Sequence, residues 1–496
     1  MATPSLLAEW FRDAPPKAPA MRNESVFYRN LEEQLDTRRS ERANMVLRRN
    51  EPAPKSKDFS TLDFLGLTHS GLLRQPFLDE LAAHPDFKLG AGGSRVLNGN
   101  NPYIEEAERE IAEFHKGDTA LLFHSGFEAN VAILLAIPRP GDAIVYDELV
   151  HASMHEGMQG SVAPCKRSFK HNDVDDFRDV LVSVKESEPL IRAGQRSVLI
   201  AVESMYSMDG DVSPLRELVQ VAREVFPDGN AQFFVDEAHT TGVFGYQGRG
   251  YVDELGLCDD IAIRMHTYGK ALACTGATVI AKASVRETLI NYARGFIYST
   301  APSFPMVAAI KAGYNLMKSG KTEHLQVRIQ HLVKHFFKTI QENEVWDEAN
   351  DEGILSIPNM DDWESRPFVT QVAPVMTRQR YTVYLCWHLQ LAGFNCFPID
   401  YPVVPRGLNR LRVVFHAHNT EEEVEGLAAA LCEWAREMLD IEESGAKGRL
   451  PAAARQVIAT QQAEQQQAKR VEGTNGASKP VSNGVNGTNG LVVVAA

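Results

Sequence analysis

The chain has 496 residues, a formal charge of −14 at pH 7 and 44% hydrophobic residues. That is enough for one large and one smaller core, and the acidic balance argues against a nucleic-acid backbone as partner. No run of about 18 apolar residues suggests a membrane span, and the six cysteines lack CxxC or Cys/His spacing, which argues against a zinc site or disulfide framework.

Residues 1–57 form a mixed N-terminal segment. The first twenty carry Glu9, Asp13 and several prolines without an apolar core, so they do not read as a secretory signal. A cytoplasmic enzyme with reduced thiols is expected. A polar helix is predicted over 26–45, followed by the loop Asn50-Glu-Pro-Ala-Pro-Lys. From 58 to 312, short β-rich runs alternate with helical stretches. Strands are predicted at 119–123, 143–146, 198–203, 232–236 and 261–266. Several are continuous apolar runs, as expected of strands buried on both faces. Ile104, Ala107, Ile111 and Phe114 recur at helical spacing, as do Leu215, Leu218, Val221 and Val225. Such alternation implies an α/β domain built on a mainly parallel sheet.

Beyond 312 the pattern changes. Leu325, Ile329, Leu332, Val333, Phe336 and Ile340 mark a long amphipathic helix. Segments 368–375 and 410–415 and helices at 381–391 and 420–439 follow. They predict a smaller α+β domain over 313–443. From 446 to 496 the composition becomes Gln/Ala-rich and then Asn/Gly/Ser-rich, and a disordered tail is expected.

The most informative pair of segments is Val235-Asp-Glu-Ala-His and, about thirty residues on, His266-Thr-Tyr-Gly-Lys-Ala-Leu. Alone, Lys270 reads as a solvated lysine and Asp236 as a helix cap. Together they match a lysine that bonds a carbonyl and a carboxylate that keeps a pyridine nitrogen protonated, the signature of pyridoxal phosphate (PLP) enzymes. Ser125-Gly-Phe-Glu-Ala-Asn follows a predicted strand and opens a helix, a place where backbone N–H groups cradle phosphate. His151 follows another strand, where a flat imidazole can stack on a planar cofactor. Glu203-Ser-Met-Tyr-Ser-Met-Asp-Gly-Asp places Ser207 and Asp209 at the same rim.

These motifs resemble the α-oxoamine synthase family of fold-type I PLP-dependent transferases. The ordered matches run over about 58–440 and include Asp63-Phe-Leu-Gly-Leu, Gly90-Ala-Gly-Gly-Ser-Arg, Gln247-Gly-Arg-Gly, Tyr298-Ser-Thr-Ala and Arg410-Leu-Arg. The resemblance implies that Lys270 bonds the cofactor and later carries the proton at the substrate's Cα. It implies that Asp236 pairs with the ring nitrogen, His151 stacks on the ring, and Ser207 and His239 reach its phenolic oxygen. Ser125, Gly126, Phe127 and Thr267 would hold the phosphate. Ser299 and Thr300 would reach it from a second subunit, making a homodimer with shared sites. Arg412 would grip the amino acid's carboxylate. No metal is called for.

The chain departs from the family pattern at four places. Leu62 and Ile104 stand where the family more often has Asn and His, Ala273 and Cys274 where it has Gly and a small aliphatic residue, and Thr240 where it has Gly. Leu62 and Ile104 suggest an apolar acyl channel. The expected reaction is a decarboxylative condensation of an amino acid with an acyl thioester, on CoA or a carrier protein, to give an α-amino ketone. An 8-amino-7-oxononanoate synthase-like enzyme is the first expectation. A secondary-metabolite or sphingoid-type synthase, releasing a polyketide or fatty acyl chain, is the second. An aminotransferase of the same fold and a non-catalytic regulatory subunit are the rivals of other classes.

Overall fold

The computed structural model describes residues 2–10, 16–41, 56–379, 381–401, 403–445 and 448–475. Seven strands form its main sheet, in the order Thr119–Phe123, Ala277–Ala281, Ile263–Thr267, Ala231–Asp236, Val198–Glu203, Ala143–Asp147 and Cys165–Phe169. The last five run parallel to one another. Ala277–Ala281 is antiparallel to both of its neighbours. Val198–Glu203 is buried at every position because helices cover both faces. Gly126–Ala136 and Ala152–Gly160 pack on one face, with Ile133 and Met154 against Ile144 and Phe234. Val174–Ser187 and Leu215–Val225 pack on the other, with Leu181 and Leu218 in one core with Val198, Ile200, Val202 and Phe233.

Two strands escape a reading based on apolar runs. Cys165–Phe169 buries only its two ends, as an edge strand does. Ala277–Ala281 is fully buried but follows the loop that carries Lys270 by a tight return, so no crossover helix announces it.

The C-terminal part holds a three-stranded antiparallel sheet, Phe397–Ile399, Arg410–Val414 and Val372–Met376, in that order. Glu323–Gln341, Thr382–Ala392 and Glu421–Glu443 cover it. Thr420 and Glu423 start the last helix with reciprocal side-chain and backbone hydrogen bonds, a capping box. Residues just after 57, expected to open the large domain, belong instead to this core. Lys57–Asp58 pairs with Phe394–Asn395, and Phe59, Phe64 and Leu65 are buried among the C-terminal helices. Val414 N–H donates to the Phe59 carbonyl and Ala417 N–H to the Phe64 carbonyl. The apolar residues scattered through 58–67 carry no information about which of two cores they enter.

The disordered tail expected from 446 needs correction. Ala452–Asn475 is a helix that lies on Pro4–Trp10 and Thr382–Ala392. Ala453, Ala454 and Val457 are buried beside Leu7, Ala8 and Trp387. Gln461 donates from its side-chain amide to the Ala8 carbonyl. Gln and Ala are good helix formers. A few apolar residues at helical spacing suffice when a groove already exists to receive them. The Asn/Gly/Ser-rich stretch 476–496 and the loop at 50–55 lie outside the described residues. The N-terminal polar helix spans Val26–Ser40. Among the described residues, no helix is long and apolar enough to cross a membrane.

Candidate active site

The parallel strands deliver their C-terminal ends to one rim, the usual ligand crevice of an open α/β sheet. Asp236 ends Ala231–Asp236, and Glu203 ends the neighbouring strand directly opposite it in register. His151 follows Ala143–Asp147 and begins Ala152–Gly160. Thr267 ends Ile263–Thr267, and Lys270 lies three residues further along. The sheet thus assembles residues that are far apart in sequence.

Asp236 is 4% exposed, and its two oxygens are held by different partners. Ala238 N–H donates to Oδ1 at 2.8 Å. Asn130 Nδ2 donates to Oδ2 at 2.7 Å. The same amide donates to Ser153 Oγ at 2.9 Å, and Ser153 Oγ lies 2.7 Å from His151 Nδ1. His239, three residues after Asp236, is buried, and its Nδ1 has no hydrogen-bond partner. Ser207 is half-buried in the turn that Tyr206 N–H closes onto the Asp211 carbonyl.

The charges act on one another. Burial lowers the Lys270 pKa, Asp236 and Glu203 oppose this, Arg412 adds to it, and the amine settles at about 8. Burial and the neighbouring Asp236 push the Glu203 carboxyl well above its ordinary range. Burial, then the Lys270 and Arg412 cations, hold His239 neutral. His151 is exposed on its outer side, yet partial desolvation of its ring lowers its pKa too, against the pull of Asp236. Arg412 lies on the small antiparallel sheet, near enough for its charge to act on both Lys270 and His239. It has no carboxylate partner among the described residues, while Arg410, two residues away, is ion-paired with Asp209. Behind the rim, burial disfavours the His171 cation, but hydrogen bonds to Asp147 and Asp211 overturn this and raise its pKa to about 10.

Ser125 caps Gly126–Ala136, its Oγ accepting from Glu128 N–H. A Cβ on Gly126 would lie 3.2 Å from the Thr267 side chain, so glycine lets the helix N-terminus come close to that strand end. Phe127 is exposed, with its ring 6.4 Å from that of His151. Ser299 and Thr300 stand apart from the Lys270 group. In the protomer they line a small cavity with Arg95, His124 and Glu128.

The departures from the family pattern have local explanations. Ala273 holds φ +52°, a left-handed conformation that glycine adopts without strain. Thr240 is buried and hydrogen-bonds Glu237 Oε2 at 2.6 Å and Ser204 Oγ at 2.8 Å. Ile104, expected to line an acyl channel, is instead 1% exposed in a core with Tyr268 and Leu272. Leu62 is partly buried against the C-terminal core. Sequence reading missed three residues of the site's framework, namely Asn130, Ser153 and Glu203. Asn130 and Glu203 were visible as the polar ends of quoted motifs, but nothing in their spacing tied them to Asp236.

The residues fit PLP. Lys270 offers a half-buried amine of lowered pKa for an aldehyde. Asp236 offers a fixed carboxylate for the ring nitrogen, His239 a buried unpaired nitrogen for a ring oxygen, and the Ser125 helix start backbone N–H groups for a phosphate.

The chain is similar to known proteins along most of its length. The family described as aminotransferase class I and II matches residues 63–431. Aminoacyl transferase sphA of Aspergillus fumigatus is 53% identical over 458 residues, 92% of this chain and 97% of that protein. An 8-amino-7-oxononanoate synthase of Emericella nidulans is 46% identical over 385 residues, 77% of this chain and 90% of that protein. In fold, the serine palmitoyltransferase of Sphingomonas wittichii superposes with a TM-score of 0.65 at 24% identity, covering 85% of this chain and 99% of that one. With Lys270, Asp236 and His239 gathered at one sheet edge, and relatives of this identity along most of its length, the chain belongs to the α-oxoamine synthases, PLP-dependent enzymes of the class I and II aminotransferase family.

Proposed function

We propose that the protein joins an α-amino acid to an acyl thioester, releasing CO2 and the free thiol and leaving an α-amino ketone. The observation that carries this is the Arg412 guanidinium, which has no carboxylate partner among the described residues and whose charge acts on Lys270. PLP, when bound, supplies an electron sink for the pair left at the substrate's Cα. Lys270, with a pKa of about 8, can both take and return the proton at that carbon near neutral pH. Asp236 keeps the ring nitrogen's proton in place. His151 offers a neutral imidazole face to the ring. His239 and Ser207 approach the ring oxygen, and Ser125, Gly126, Phe127 and Thr267 hold the phosphate. Arg412 pairs with the amino acid's carboxylate and orients the Cα bonds, a task suited to its planar fork.

Two donors are compatible with this chemistry. The 8-amino-7-oxononanoate synthase reading has support from the Emericella nidulans relative. A donor of another type, as in a secondary-metabolite or sphingoid-type synthase, has support from the sphA relatives. Those align over 92% of the chain, against 77% for the synthase, so they share more of its terminal regions. A homodimer is part of the proposal. Leu97, Tyr298 and Leu89 are 84%, 73% and 70% exposed on segments flanking the Ser299 and Thr300 loop and the Gly90 cluster, an apolar surface that a second copy would cover.

The test is purified protein assayed by thiol release across a matrix of amino acids and acyl-CoAs, with CO2 measured in parallel. Equal CO2 and thiol support the reaction. Keto acid without CO2 would refute it in favour of an aminotransferase. Pimeloyl-CoA as sole donor would select the first reading, and turnover of long-chain acyl-CoAs the second.

A further inference from the structure

We propose that Asn130 is a positioning residue whose single amide orients Asp236 and, through the Ser153 hydroxyl, favours the neutral form of His151. This rests on the reading of the rim as a PLP site, but its main test is read in ligand-free protein.

The argument is one of donor counting. The Asn130 side chain is 1% exposed and its amide has two hydrogens. One goes to Asp236 Oδ2 at 2.7 Å and the other to Ser153 Oγ at 2.9 Å. Turning the amide over would aim its carbonyl at a carboxylate, so the charge of Asp236 selects one orientation. The consequence is visible on the far side, where Asn130 Oδ1 is buried without a partner. A native core seldom tolerates such an atom, and here the two donated bonds hold the amide in place despite it.

Ser153 continues the chain. Its Oγ accepts from Asn130, which leaves its own hydrogen for His151 Nδ1 at 2.7 Å. Ser153 backbone N–H, which can only donate, points at the same nitrogen at 3.2 Å. Nδ1 therefore carries a lone pair, and the proton of the neutral ring sits on Nε2. Partial desolvation and the Lys270 cation disfavour the imidazolium, against the pull of Asp236. The outcome is an uncharged imidazole face and an oriented Asp236 carboxylate, held in register by one amide. A cationic His151 would compete with the ring nitrogen for the charge of Asp236. Asn130 disfavours that state by occupying one lone pair of the Ser153 hydroxyl and leaving its hydrogen free to face Nδ1, beside the Ser153 backbone N–H that already donates there.

The test labels the histidine rings with 15N in ligand-free protein and assigns His151 with His151→Asn. Wild type is expected to show an unprotonated Nδ1 and a protonated Nε2, with a titration midpoint below the ordinary 6.5. Asn130→Ala and Ser153→Ala are each expected to raise that midpoint toward 6.5. In the PLP-loaded protein, Asn130→Ala is expected to shift the pH midpoint of the visible cofactor band and to lower kcat with little change in amino-acid KM. If Asn130→Ala does not fold, Ser153→Ala, which removes only a hydroxyl, carries the same titration. A proton on Nδ1 in wild type would overturn the proposal. So would a His151 titration unchanged in both variants. Neither result would bear on whether the loaded enzyme condenses its substrates.

Discussion

Arg412 and Arg410 lie two residues apart on one strand, and the structure predicts opposite fates for their removal. Arg412 has no carboxylate partner among the described residues, and burial lowers its pKa. Its cation is uncompensated until an anion arrives. Arg412→Ala therefore leaves the folded protein no less stable, but deprives the substrate's carboxylate of its partner. Such a loss costs about 2–5 kcal/mol of binding, a factor of roughly 30 to several thousand at 1.4 kcal/mol per tenfold. It should appear as a raised amino-acid KM with the acyl-donor KM nearly unchanged. Arg410 is ion-paired with Asp209 and donates to the Met208 and Leu408 carbonyls. Arg410→Ala strands those acceptors and should cost about 1.5–3 kcal/mol of stability, as for hydrogen bonds to a charged group. The assays are initial rates of thiol release against amino-acid concentration and thermal unfolding of both variants. An Arg412→Ala protein with wild-type amino-acid KM, or one destabilised as much as Arg410→Ala, would refute the reasoning.

Three further outcomes are expected. The covalent capture of PLP by ligand-free protein should accelerate with pH with a midpoint near 8 and level off above it, as the Lys270 amine becomes neutral, and a midpoint near the ordinary 10.5 would mean that the lysine is solvated. His171 has its folded pKa raised to about 10 from an ordinary 6.5. Its contribution is therefore complete below 6.5 and is lost as pH rises through 10, so His171→Asn should lower Tm most at pH 6 and hardly at all at pH 10. A Tm difference constant across that range would show that the ion pairs with Asp147 and Asp211 do not form. Val457→Asp places a charge against Leu7, Ala8 and Trp387 and should release the Ala452–Asn475 helix, read as faster proteolysis after residue 448, with amino-acid KM unchanged. Wild-type resistance to protease would mean that this helix does not depend on that contact.

Much of the molecule was legible from residues alone. The runs at 119–123, 143–146, 198–203 and 232–236 announced buried strands because both faces of a parallel sheet must be apolar. The order of the motifs then placed Lys270 and Asp236 in one family and one kind of chemistry. Asymmetric elements hid better. Cys165–Phe169 has a polar centre because one side of an edge strand meets water, and the burial of Ala277–Ala281 says nothing of its direction.

What only the tertiary structure decided follows from partners distant in sequence. Composition made residues after 446 look unable to fold, yet Val457 is buried because Leu7 and Trp387 offer it a groove. Ile104 looked like a channel residue by comparison with relatives, but its burial against Tyr268 and Leu272 makes it core. Asn130 looked like the last letter of a phosphate-binding turn, and its bond to Asp236, 106 residues away, exists only once the helix lies across the strand ends. A sequence determines which segments must bury apolar surface, because that depends on spacing along one chain. Which polar atoms then face one another depends on how those segments are packed, and the chemistry of this site resides in those pairings.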